Sequence, residues 1–164
     1  MKDKLFDQLD ENKKIDELTY ENLKYVVETI KNEVEEEPDI NNVIIFDDMT
    51  AYLRDTHVKK LLNQLVYNRR HLHTRVYFLV QTYKSLEPSI RKLLSNIFLF
   101  KVSKHELNNI MDETIEGHKN DIDATIKLVF DKPYNYLFIN TDSQRMFKIF
   151  DEIIFSDHIS IWML

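Results

Sequence analysis

Residues 43–49 read Val43-Ile44-Ile45-Phe46-Asp47-Asp48-Met49. Four consecutive apolar residues without polar alternation fit a strand buried on both faces, as parallel sheets require. The two acids that close the run stand at its carboxyl end, where α/β proteins place ligands. A second such run, Arg75-Val76-Tyr77-Phe78-Leu79-Val80-Gln81, follows after one intervening helix. Two buried strands joined through a helix imply a crossover connection, so Val43–Phe46 and Val76–Val80 are expected to be parallel neighbours.

Working outward, Leu23, Val26, Val27, Ile30 and Val34 recur at helical spacing and predict a helix over Thr19–Glu37, with Thr19 as N-cap. Glu35-Glu36-Glu37-Pro38 ends it, and acids at a helix C-terminus oppose the macrodipole, so this run reads as solvated. Val58, Leu61, Leu62, Leu65 and Val66 predict the helix between the two strands, over about Asp55–Leu72. A short helix begins at Pro88, and Ile97–Phe100 reads as a third strand. Ser103 ahead of Glu106 is a capping box that opens the next helix, and Asp121–Phe130 is a further helical stretch. Tyr136–Asn140 and Met146–Phe150 flank Thr141-Asp142-Ser143-Gln144 as a hairpin. The order predicts an α/β fold with a mainly parallel sheet flanked by helices and a C-terminal β-hairpin.

The chain has 164 residues, 43% of them hydrophobic, which is enough for one domain with its own core. It has no cysteine, and so neither a disulfide framework nor a thiolate metal site. No signal pattern and no apolar run long enough to span a bilayer are visible, so the expectation is a soluble intracellular protein without a membrane segment. Net charge is −6, unevenly spread: residues 1–40 carry −7, residues 41–110 carry +6 and residues 111–164 carry −5. A basic centre between acidic ends is consistent with a phosphate-facing region.

Adjacent acids at a strand end match the chemistry of a Walker B strand, in which one carboxylate holds the magnesium shell and the next polarises the attacking water. Gln81 would lie beside Asp48 if the strands pair. A neutral amide can donate to a phosphate oxygen and accept from water, as a γ-phosphate sensor must. Arg69 and Arg70 close the intervening helix on different faces, so one can face phosphate while the other covers the helix. Arg91 and Lys92 are further cations. The six histidines show no metal-ligand spacing, His71-x-His73 included. Phe78, Phe98, Phe100, Phe138, Phe147 and Phe150 read as core rather than as base-stacking platforms.

In combination these segments carry a resemblance. IIFDDM (44–49), NRRHLHTRVYFLVQTYKSLEPSIRKLLSNIFLFKVSKHEL (68–107), PYNYLFINT (133–141) and RMFKIFDEIIF (145–155) resemble, in that order, the poxvirus-type packaging ATPases of large nucleocytoplasmic DNA viruses. These belong to the FtsK/HerA superfamily of DNA-pumping P-loop ATPases. The resemblance covers about residues 40–155. It implies a partial P-loop NTPase (RecA-like) core over residues 39–155, preceded by an acidic helical segment (1–38) and followed by a tail (156–164). It implies that Asp47 is the magnesium-side acid, Asp48 the catalytic acid and Gln81 the sensor. Arg69 or Arg70 matches the position of an arginine finger. Viral double-stranded DNA is the implied partner, together with a P-loop-bearing ATPase chain or a homo-oligomeric ring, in the host-cytoplasm viral factory or the virion.

The family's G-x-x-x-x-G-K-[ST] does not occur in these residues. The single glycine, Gly117, lies downstream of the acids, whereas the phosphate cradle should lie upstream. The expectation is that Mg2+ and ATP are cofactors only where a P-loop is supplied in trans, and that this chain alone is inactive: a fragment, one half of a split gene or a decayed copy. The alternative is a non-catalytic interaction module that uses an inherited ATPase surface to bind ATPase subunits or virion proteins. A receiver-like phosphoacceptor domain would need a strand-end lysine late in the chain, and no convincing one is present.

Overall fold

The computed structural model describes residues 9–115 and 122–154. The tail 156–164 with Trp162, and likewise Gly117, His118 and His158, lie outside these residues. The chain is mixed α/β and divides into two compact units, residues 1–93 and 94–164.

In the first unit, α1 (Tyr20–Glu36) begins at Thr19, whose hydroxyl accepts from the Asn22 N–H at 3.1 Å. It buries Leu23, Val27 and Ile30, and its glutamate end is exposed as expected. The strand β1 (Asn42–Asp47) follows, then a 3-10 turn over Met49–Arg54 and α2 (Thr56–Asn68). Asp55 caps α2, accepting from the N–H groups of His57 at 2.7 Å and Val58 at 3.2 Å. The carboxylate is held below the usual aspartate range by these bonds, with Val58 the larger cause. β2 (Thr74–Leu79) runs parallel to β1, with Asn42 opposite Thr74 and Asp47 opposite Leu79, so the expected pairing is present. A four-residue helix, α3 (Pro88–Arg91), starts at its proline. Leu62, Leu65, Val58 and Ile90 are almost wholly buried, and Phe46 stacks on Phe78 at 5.2 Å on the helix-covered face.

The expected burial of β1 on both faces is not found. Val43 is 54% exposed and Ile45 45%, and Tyr77 and Leu79 beside them on β2 are each 50% exposed. Periodicity could not reveal this, because a continuous apolar run states that both faces are apolar, not that both are covered.

In the second unit, β3 (Asn96–Phe100), β4 (Tyr136–Asn140), β5 (Arg145–Lys148) and β6 (Asp151–Ile153) form an antiparallel sheet in that order. The hairpin across Thr141–Gln144 is present. The mainly parallel sheet is not: among the described residues only β1 and β2 pair parallel, and Ile97–Phe100 joins β4 antiparallel. Ile97, Leu99, Leu137, Ile139 and Met146 supply the buried side of this sheet. α4 (Lys104–Thr114) and α5 (Ile122–Val129) supply Leu107, Ile110, Met111 and Val129 to the same core. Ser103 caps α4 through the Glu106 N–H at 3.2 Å.

The aromatic residues correct the expectation that they form core. Phe98, Phe100 and Phe150 are at least half exposed, and Phe138 and Phe147 are half-buried. Phe98, Phe138 and Phe147 stack across three strands at 4.8 and 5.2 Å. The alternation of period two puts Ile97 and Leu99 inside and therefore Phe98 and Phe100 outside.

Candidate active site at the strand ends

The two parallel strands deliver Asp47, Asp48 and Gln81 to one end of the first unit. The ladder continues one residue past β1, with the Asp48 N–H donating to the Leu79 carbonyl at 3.0 Å. Asp48 then turns into the left-handed region, φ 49°. Aspartate tolerates this conformation better than most residues, although it still costs free energy relative to glycine. The turn carries the Asp48 carboxylate away from the following 3-10 turn, whose N-terminus it does not cap. Instead its Oδ2 accepts from Gln81 Nε2 at 2.9 Å. Sequence separation between the two is 33 residues, so parallel pairing alone brings them together.

Asp47 and Asp48 are both exposed. Among the described residues Asp47 has no side-chain partner, so one carboxylate is open and the other is held by an amide. Magnesium asks little more of a protein when substrate phosphates and water complete its shell. The residues fit such a nucleotide-borne ion. They do not form an all-protein cage, and no group of three acidic, histidine or cysteine residues suited to a metal occurs among the described residues.

The two arginines separate clearly. Arg69 donates to the Val66 carbonyl at 2.9 Å and to the Leu93 carbonyl at 3.2 Å, in a part-buried setting. It ties the end of α2 to the segment after α3. Arg70 is exposed and has no side-chain partner among the described residues. Arg91 donates to the Leu86 carbonyl at 2.6 Å and lies over the Tyr83 ring at 5.2 Å, while Lys92 is exposed. His71 and His73 are exposed, and His73 also has a positive φ of 45°. Sequence reading gave no sign of Asn42, at the entry to β1, whose Nδ2 is buried without an acceptor among the described residues. One asparagine before an apolar run carries no distinguishing signal.

Fold and site together define a mixed α/β protein with its polar constellation at the carboxyl ends of a parallel strand pair. The family model described as Poxvirus A32 protein matches residues 6–160. The chain belongs to this family and is thereby related to DNA-packaging ATPases. No curated protein and no solved structure matches it. Among the described residues no helix is long and apolar enough to cross a membrane.

Proposed function

We propose that this chain is the Walker B and sensor portion of a viral DNA-packaging ATPase, within a partial P-loop core spanning residues 39–155. The acidic segment 1–38 and the tail 156–164 would flank that core. The observation that carries the reading is the Gln81–Asp48 hydrogen bond at the ends of adjacent parallel strands. Family membership supports it. Among the described residues one β1–β2 face is uncovered and neither outer edge of this pair meets a further strand, which supports a further P-loop-bearing part, since parallel sheets are normally covered on both faces.

In this reading Asp47 holds the magnesium shell, and the ion supplies charge neutralisation at the phosphates of ATP when bound. Asp48 accepts the proton of the attacking water. Gln81 orients the Asp48 carboxylate and senses the γ-phosphate, so its bond to Asp48 would be exchanged for one to phosphate. Arg70 is the arginine finger, because Arg69 already serves two carbonyl groups of its own unit. The ligands are ATP and viral double-stranded DNA, encountered in the viral factory or virion. The exposed apolar faces of both units also favour the second reading, a non-catalytic module that binds ATPase subunits or virion proteins.

The test mixes the chain with a polypeptide bearing G-x-x-x-x-G-K-[ST] and measures steady-state ATP hydrolysis with and without DNA, alongside nucleotide affinity. Phosphoryl transfer rests on positioning and electrostatics, so complementation should restore turnover that the isolated chain lacks. Asp48→Asn should abolish it with binding retained, and Asp47→Asn should weaken magnesium-dependent binding too. Gln81→Ala should lower the rate more than the affinity. If these variants all behave like the parent, the interaction-module reading replaces the enzymatic one.

A further inference from the structure

Gln81 stands beyond the strand ladder that delivers it. The β1–β2 register ends with Asp47 opposite Leu79, and the Asp48 N–H on the Leu79 carbonyl closes it at 3.0 Å. Gln81 lies past that rung and is exposed, yet its Nε2 meets Asp48 Oδ2 at 2.9 Å. A glutamine side chain is rich in rotamers, and one hydrogen bond at a wet surface gains little against that freedom. The backbone that carries Gln81 therefore needs an anchor on its far side as well. That anchor is Tyr83, 6% exposed, which opens the 3-10 turn Tyr83–Ser85. Arg91 grips this turn at both ends. Its guanidinium lies over the Tyr83 ring at 5.2 Å and donates to the carbonyl of the buried Leu86 at 2.6 Å. The base from which Arg91 reaches is itself fixed. Arg91 ends α3, and the start of α3 is held to α2 by the Lys59–Glu87 ion pair at 2.7 Å and by Ser89 Oγ donating to Asn63 Oδ1 at 2.8 Å.

We infer that Arg91 is a positioning residue for Gln81: it fixes the turn that follows Gln81 and so sets the amide against Asp48, without itself touching phosphate. The other use for an arginine at this place is a direct phosphate contact. For that, the guanidinium would have to leave both the Leu86 carbonyl and the Tyr83 ring. Only arginine makes these two contacts at once, because its planar fork stacks on a ring while N–H groups at its rim donate, whereas an ammonium is a point charge. Lys92, the exposed neighbour of Arg91, makes neither contact among the described residues. The catalytic consequence of this role rests on the proposed ATPase site, and its geometric part concerns this chain alone.

The first test needs no nucleotide. NMR relaxation of the isotope-labelled full chain reports the order of each glutamine side-chain amide. Gln64, exposed on α2 and without a side-chain partner among the described residues, is the internal reference. The Gln81 amide should be more ordered than that of Gln64 in the parent. In Arg91→Met it should fall to the level of Gln64 while the backbone spectrum stays that of a folded chain, and in Lys92→Met it should not change. Arg91→Lys keeps the charge and should also loosen Gln81, and it decides the matter where Arg91→Met does not fold. A Gln81 amide as ordered in the folded Arg91 variants as in the parent overturns the role, and so does a parent amide no more ordered than Gln64. The second test uses the complemented ATPase. Arg91→Met should lower kcat by about tenfold or more with KM for ATP little changed. It should add nothing to Gln81→Ala, because both act through one bond. A raised KM, or a further loss on top of Gln81→Ala, would identify a direct phosphate contact and overturn positioning. A parent mixture without hydrolysis counts against the ATPase reading alone, and the amide order still decides whether Arg91 positions Gln81.

Discussion

Arg69 and Arg70 are adjacent in sequence and have opposite fates in the fold. Arg69 completes two carbonyl groups at the end of α2 and after α3, and Arg70 projects into solvent. The hydrogen bonds of a part-buried guanidinium are worth about 1–3 kcal/mol. Arg69→Ala should therefore lower unfolding free energy by that order in urea denaturation, and Arg70→Ala should leave it unchanged. In the complemented ATPase the effects should reverse, with Arg70→Ala the variant that loses turnover at full stability. Equal denaturation midpoints for the two variants would contradict this division. At Asp48 the backbone and the side chain have separate tasks: a positive φ re-aims the carboxylate, and Gln81 receives it. Such local cost is expected where a structure aims a functional group.

Among the elements, α2 shows how a single side chain sets both a boundary and a pH dependence. Asp55 accepts the N–H groups of Val58 and His57, and its pKa in the folded chain lies below the ordinary 3.8. A depressed carboxylate pKa means that the unfolded chain binds the proton more readily. The cap's contribution is then fully present above 3.8 and is lost as pH falls through the lower folded value. Asp55→Asn keeps an acceptor without the charge. Chemical denaturation should show the parent more stable than this variant at neutral pH, with the gap closing under acid conditions below 3.8. A gap that persists unchanged in acid would mean that the carboxylate charge is not what stabilises the helix start. The β1–β2 pair illustrates the opposite situation, in which an element is well specified and one of its faces remains open. Phe46 is buried against the helices, while Val43 and Ile45 of the same strand are not.

For the whole molecule, the division at residues 93 and 94 separates two kinds of sheet. The second unit has its own core of Leu107, Ile110, Val129, Leu137 and Ile139, each fully buried. Its hairpin is tied back to the start of β3, with the Thr141 N–H on the Ser95 carbonyl at 3.0 Å. A unit of about 70 residues is near the lower size limit for a single core, yet antiparallel meanders have mostly local pairings. Residues 94–164 expressed alone should give a strand-rich circular dichroism spectrum and a cooperative thermal transition. A broad, non-cooperative melt would show that this unit depends on the first.

The local periods of the chain determined its helices and strands, the caps at Thr19 and Ser103 and the pairing of β1 with β2. Caps, proline positions and apolar spacing act within a few residues, and sequence displays them directly. The meeting of Asp48 with Gln81 was also legible, because two apolar runs separated by one helix leave few ways to pair. Other features were decided only by the tertiary structure. Strand β3 pairs antiparallel with β4, the aromatic residues of β3–β5 face outward, and Arg69 is consumed by carbonyl groups. Sequence alone could not distinguish Arg69 from Arg70, since both are arginines at one helix end and differ only in what lies opposite them. It likewise could not show that, among the described residues, one face of β1 lacks a cover and Asn42 Nδ2 lacks an acceptor. Apolar spacing specifies which surfaces seek burial, whereas the partner that buries them is set by contacts between residues far apart in the chain.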